Sequence, residues 1–235
     1  MLIQNGSRQY FVGDLVAETA AYRLYLCSAK NGGCEYLLQV AVDLTANGAL
    51  DRAAYFLRML SREAEDLEQE YAKVKKKPEK MLNYQYSFPD VVDSFVSQDQ
   101  GGRRINILRF HSVDDVRQMV PLYNIVHRDF RRVDIRTSIW IMGKLLKIIA
   151  FVHDSGISMG EAIRSGNILI EPSKHYVVFF NWEDVQKNCD VVSTSLVRED
   201  IKNAAECVIE TLGGTSEGGV LEDGSRESGP YIERL

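Results

Sequence analysis

The residues best suited to chemistry in this chain stand between His153 and Asp184. Glu161 and Arg164 precede two strand-like runs, Ile168 to Ile170 and Tyr176 to Phe180. Pro172-Ser173-Lys174 between them is turn chemistry, so the runs read as a hairpin. Asn167 stands just before the first run, and Asn181, Trp182, Glu183 and Asp184 follow the second. Hard oxygens of this kind suit a divalent cation, a carboxylate suits proton transfer, and arginine suits a phosphate. The plain alternative makes Asn167 a turn residue bonding its own backbone.

The elements that must position these residues are readable from periodicity. A helix over Asp134 to His153 leads into the loop, with Ile135, Ile139, Met142, Leu146, Ile149 and Val152 on one face, Asp134 placed as its cap and Gly156 after its end. Beyond the hairpin, a helix over Asp200 to Leu212 buries Ile201, Ala204, Ala205, Val208 and Leu212 and stops at Gly213-Gly214. The tail after it is rich in Gly, Ser and Glu and reads as irregular.

Upstream, Tyr10 to Asp43 reads as three strands. Tyr22, Leu24 and Leu26 alternate with polar or half-polar neighbours, Leu37 to Val42 is nearly continuous apolar sequence, and Asn31-Gly32 between them is a hairpin turn. A helix near 48–72 follows, with Leu50, Ala53, Leu57, Leu60, Ala64, Leu67 and Tyr71 on one face, and Pro78 beyond its end. Val91 to Val96 and Ile105 to Phe110 read as two more strands.

Composition excludes several classes of function. A net charge of −5 argues against a general nucleic-acid binder. No apolar run approaches the roughly 20 residues of a membrane span, and the start, MLIQNGSRQY, lacks the basic and apolar regions of a signal peptide. Cys27, Cys34, Cys189 and Cys207 show no CxxC spacing and read as reduced thiols of a cytoplasmic protein.

The order of these elements, together with Asn167-Ile-Leu-Ile, the hairpin and Asn181-Trp-Glu at a separation of 14 (181 − 167), resembles the catalytic loop and metal-binding segment of the protein-kinase-like fold. The resemblance covers Tyr10 to Leu212 and is to a degenerate, pseudokinase-like member of bacterial or phage type. It implies an α+β, two-lobed architecture. Residues 1–119 would form a small antiparallel-sheet N-lobe of about five strands with the long helix. Residues 120–126 would connect the lobes, and residues 127–235 would form a minimal, mainly helical C-lobe carrying the catalytic-loop-like hairpin.

The same resemblance assigns roles residue by residue. Gln39 takes the place of the lysine that pairs with the α- and β-phosphates, Ala53 that of its glutamate partner, and Val40 to Val42 with Leu169 would wall an adenine slot. The turn from Leu15 to Ala21, where the family has a glycine-rich cover, has no glycine. Counted back from Asn167 without a gap, the base position is Ala162. A one-residue insertion instead aligns Met159-Gly160-Glu161 with a His-Gly-Asp variant and makes Glu161 the base, with Arg164 near the basic residue that contacts the transferred phosphate. The metal would fall to Asn167 and Asn181, the latter a neutral replacement for a carboxylate, with Glu183 or Asp184 compensating. Asp200 matches an aspartate that holds the catalytic loop's backbone from the next long helix, or is a plain N-cap.

Losing the lysine, its glutamate, the base and one metal ligand together implies a pseudokinase. It would act as a binding or regulatory module on another protein, with neither nucleic acid nor membrane as partner. No cofactor would be required, and any ATP and Mg²⁺ binding would be weak. Two alternatives stay open: a divergent, active ATP-dependent phosphotransferase using Glu161, and a weak nucleotide-binding regulator.

Overall fold

A tight turn at Gly6-Ser7, with Gly6 at a φ of 58°, sets β1 (Leu2–Asn5) antiparallel to β2 (Arg8–Glu18), Asn5 lying opposite Arg8. The computed structural model describes residues 1–29, 33–75, 82–111, 113–188 and 191–214. The Asn31-Gly32 turn, Cys189 and the tail after Gly214 lie outside these residues. The chain divides into two compact units, Met1–Gln118 and Met119–Leu235.

In the first unit β3 (Tyr22–Ser28), β4 (Tyr36–Ala41), β5 (Asp90–Ser97) and β6 (Arg103–Arg109) join β1 and β2 in one antiparallel sheet of order β1-β2-β3-β4-β6-β5. The sheet has one strand more than expected, and the addition is β1. The turn expected at Leu15 to Ala21 is also shorter, because β2 runs on to Glu18 through register shifts. Only Thr19-Ala20-Ala21 turns, closed by the Thr19 hydroxyl, which accepts from the backbone N–H groups of Ala21 and Tyr22.

Strand alternation gives the sheet two buried faces. Leu38 and Val40 of β4 and Ile105 and Ile107 of β6 pack with Ile3, Tyr10, Val12 and Cys27. On the other face Gln39 pairs in register with Asn106, beneath α1 (Asn47–Lys75). Leu50, Ala53, Leu57, Leu60 and Ala64 of α1 are buried, as their spacing requires.

The sheet curls far enough for its first and last strands to meet. The amide of Asn5 donates to both oxygens of Asp93 at 3.0 Å, and the hydroxyl of Tyr10, itself only 3% exposed, donates to Asp93 at 3.1 Å. Burial, and after it the Asp93 carboxylate, push the Tyr10 phenol from the usual 10.0 up to about 12. Between those values the unfolded chain sheds a proton that the folded chain keeps, so stability is expected to fall as pH rises from 10.0 towards about 12. Urea unfolding on either side of the lower value, compared with Tyr10→Phe, measures this. The variant should show a flatter decline, and an identical decline would rule out the closure as its source.

The second unit comprises β7 (Val120–Pro121), α2 (Leu122–His127), α3 (Ile135–Asp154), β8 (Ile157–Ser158), β9 (Ile168–Glu171), β10 (Tyr176–Phe179), β11 (Gln186–Lys187) and α4 (Thr194–Thr211). The hairpin pairs Ile168 with Phe179 and Glu171 with Tyr176. The stretch read as a connector is in part a strand, since β7 adds to this hairpin with Val120 opposite Ile170, and α2 follows at once. β8 and β11 pair through Ser158 and Gln186 and so tie the start of the loop to the chain beyond the hairpin.

α4 with its C-cap buries Ala204, Ala205, Val208 and Leu212 as expected, and α3 buries Met142, Ile149 and Val152 of its expected stripe; the rest differs. In α3 the buried residues include Ile141, Leu145, Ile148 and Val152, while Ile139 is 52% and Leu146 38% exposed. α3 is apolar nearly all round, so its period alone does not select a stripe. α4 begins at Thr194 behind the Ser193 cap, well before Asp200, and turns Asp200, Ala204, Cys207, Val208 and Thr211 inward while Ile201 is half-exposed. Asp200 is therefore no N-cap. No helix among the described residues is long and apolar enough to cross a membrane.

Candidate functional site

The loop between β8 and β9 hangs on Asp200. Its carboxylate, 1% exposed, accepts from the N–H groups of Met159 at 2.9 Å and Gly160 at 2.6 Å, and lies 2.6 Å from Nε2 of His153 at the end of α3. One turn along α4, Asn203 donates to the Gly160 carbonyl at 3.1 Å. Gly160 is thus gripped on both sides, at a positive φ of 49°. Charge-assisted bonds of this kind are the strong ones.

The two residues that competed for the base position differ in setting. Glu161 follows the gripped pair directly, is exposed, and makes no hydrogen bond or ion pair among the described residues. Ala162 is 1% exposed, and its carbonyl accepts from the Asn167 amide at 2.7 Å. A buried methyl group offers no proton chemistry.

Asn167 and Asn181 come together across the mouth of the hairpin. The Asn167 amide donates to the Asn181 carbonyl at 2.9 Å, and its oxygen accepts from the Asn181 N–H at 2.8 Å. The Asn181 amide donates to Glu183 at 3.0 Å, and its oxygen accepts from the Glu183 N–H at 3.2 Å, an Asx turn. Trp182, fully buried, anchors the turn by donating to the Phe179 carbonyl at 2.9 Å. Arg164 completes the group, its guanidinium 3.9 Å from Glu183 and 3.8 Å from Asp184.

The five expected residues Arg164, Asn167, Asn181, Glu183 and Asp184 are therefore neighbours. As a cradle for Mg²⁺ they fit poorly. Each amide oxygen already accepts a backbone hydrogen bond, and the two carboxylates face a guanidinium that supplies the positive charge a metal would bring.

In the first unit Gln39 is 2% exposed and accepts, at 3.5 Å, from the amide of Asn106. Asn106 also donates to the Leu50 carbonyl of α1 at 2.9 Å and accepts from Ser94 at 2.8 Å. Arg104 donates to Ser94 at 3.0 Å and pairs with Asp51 at 3.0 Å. A chain of mostly neutral groups thus couples the sheet to α1 where an ion pair was sought, and Ala53 lies buried one helical turn beyond Leu50. Val40, read as a wall of an adenine slot, faces away from Gln39, as adjacent strand residues do, and lies in the core cluster with Ile3, Tyr10 and Ile105. Sequence reading missed Asn106 and His153. The signal for Asn106 was a lone amide within the apolar run Ile105 to Leu108.

No family model matches the sequence, and no curated protein matches it. Among solved structures the chain is similar to one described as the structure of vaccinia related kinase 3, with a TM-score of 0.62 at 14% identity over 100% of this chain and 74% of that one. The likeness shows a protein-kinase-like fold, mixed in helix and sheet, with an antiparallel sheet in its N-terminal region.

Proposed function

We propose that this chain is a catalytically impaired kinase-like protein that works by binding, with another protein as its partner. The observation that carries this reading is Gln39. Phosphoryl transfer rests on positioning and electrostatics, and the residue in the lysine's place is a buried neutral amide already tied to Asn106. Two features support it. The Thr19-Ala20-Ala21 turn is closed by its own hydroxyl and has no glycine to bring backbone N–H groups over a phosphate. Arg164 stands between Glu183 and Asp184, so a cation there would have to displace it.

Adenosine and ATP are therefore expected to bind comparably and weakly, with little effect of Mg²⁺, because charge-assisted phosphate contacts give ATP most of its advantage. Calorimetry with adenosine, ATP, and ATP plus Mg²⁺ is the test. Micromolar ATP binding that collapses with EDTA would sink the impaired reading. One feature favours an active ATP-dependent phosphotransferase instead: Glu161 is exposed and directly follows the gripped Gly160. Turnover abolished by Glu161→Gln would establish that reading. Nucleotide binding without turnover would leave the weak nucleotide-binding regulator.

A further inference from the structure

A groove of about 540 Å³ lies between α1 and the start of β5 with the end of β6. Arg58, Ser61 and Arg62, spaced i, i+3 and i+4 on one face of α1, line its helical wall. Asp90, Arg109 and His111 line the wall opposite. Neither Arg58 nor Arg62 has an ion-pair or hydrogen-bond partner among the described residues, and both are exposed. The hydroxyl oxygen of Ser61 is buried without a hydrogen-bond partner. On the far wall Arg109 is already neutralised by Asp90 at 2.9 Å, and Nε2 of His111 lies 3.1 Å from Asp90 but out of hydrogen-bond alignment.

Two guanidinium groups without an ion-pair partner and an orphaned hydroxyl on one face of a groove suit an anion with several acceptor oxygens. A buried hydroxyl left unbonded is unfavourable, and a ligand oxygen would relieve it. Paired arginines match the geometry of phosphate better than that of a single charge. The groove is also much larger than one phosphate, which leaves room for the chain on either side of it. Glu65 in the same lining offers a cationic neighbour of the phosphate a partner.

We infer that this groove binds a phosphorylated segment of a partner protein, the phosphate meeting Arg58, Arg62 and the Ser61 hydroxyl. The site lies wholly in the first unit and uses none of the residues on which the impaired-kinase reading rests, so each can fail without the other.

The test is calorimetry on the full chain with acetyl-Gly-phosphoserine-Gly-amide, its unphosphorylated and glutamate counterparts, and inorganic phosphate. The phosphopeptide should bind best, and more weakly as salt rises. Arg58→Ala with Arg62→Ala should weaken it by roughly tenfold or more, given the strength of charge-assisted bonds. Ser61→Ala should weaken it by a smaller factor, and Arg58→Lys with Arg62→Lys should restore part of the loss. Both arginines are exposed on a helix, where alanine is favourable, so these variants should fold. No binding of the phosphopeptide, binding unchanged in the double alanine variant, or equal binding of the glutamate peptide would each overturn the inference. Inorganic phosphate binding as tightly as the peptide would overturn the assignment of a protein segment.

Discussion

Replacing Asp200 with alanine is expected to destabilise the protein by about 3–5 kcal/mol, the range for removing one member of a buried, bonded charge group. The carboxylate is 1% exposed and bonds two backbone N–H groups and His153. Truncation leaves all three without that acceptor, and the N–H of the fully buried Met159 among them, so the loss exceeds that of an ordinary surface bond. Asp200→Asn should not be benign either. One carboxylate oxygen becomes an amide NH2 group that faces an N–H donor, and the charge is lost. Ser193→Ala, which removes the true cap of α4, gives the scale for the rival reading and should cost only ~1 kcal/mol. Urea unfolding of the three variants separates the cases. If Asp200→Ala falls no lower than Ser193→Ala, the clamp does not hold the loop.

Local signals made much of this fold readable. The spacing of Leu50, Leu57, Leu60 and Ala64 gave both the existence and the buried face of α1, because the opposite face is charged. In α3 the same method placed the helix and its cap, Asp134, which accepts from Thr137 N–H at 2.9 Å, and found Met142, Ile149 and Val152 buried, but put the exposed Ile139 and Leu146 on the same stripe, since nearly every face is apolar. β1 was legible and unread: Asn5-Gly6 is the same turn signal as Asn31-Gly32, followed by a run resuming at Arg8. The closure through Asp93 was not legible, because the contact joins residues 88 apart in sequence and no local pattern marks it.

The candidate site divides in the same way. Asn167, Asn181 and Glu183 were found from their place around a hairpin, and a hairpin brings its two ends together whatever their chemistry. What spacing could not give is occupancy. Whether an amide oxygen is free or spent depends on which backbone N–H reaches it, and here Asn181 and Glu183 reach both. Arg164 is similar, since its distance from two carboxylates depends on a side chain crossing from the loop before β9 to the segment after β10.

Gln39→Lys is expected to destabilise the protein by about 3–5 kcal/mol, or to hold its new amine neutral at pH 7, because an unpaired charge would stand in a buried site. The position is 2% exposed, its neighbour Asn106 is already committed to Leu50 and Ser94, and Ala53 offers no carboxylate. The lysine would also break the chain that couples β4 and β6 to α1. Adding Ala53→Glu supplies the missing counter-charge, and a double-mutant cycle should then show a favourable coupling of about 1–3 kcal/mol between the two sites. Neither variant, nor either one combined with Ala162→Asp, should gain measurable phosphotransfer, because groups that act as a catalytic unit are strongly non-additive. Unfolding curves for the single and double variants, with a transfer assay on each, decide the matter. A lysine tolerated within ~1 kcal/mol that also tightens ATP binding would mean that Gln39 stands in a working phosphate site with room for a cation, and that the amide network does not lock it.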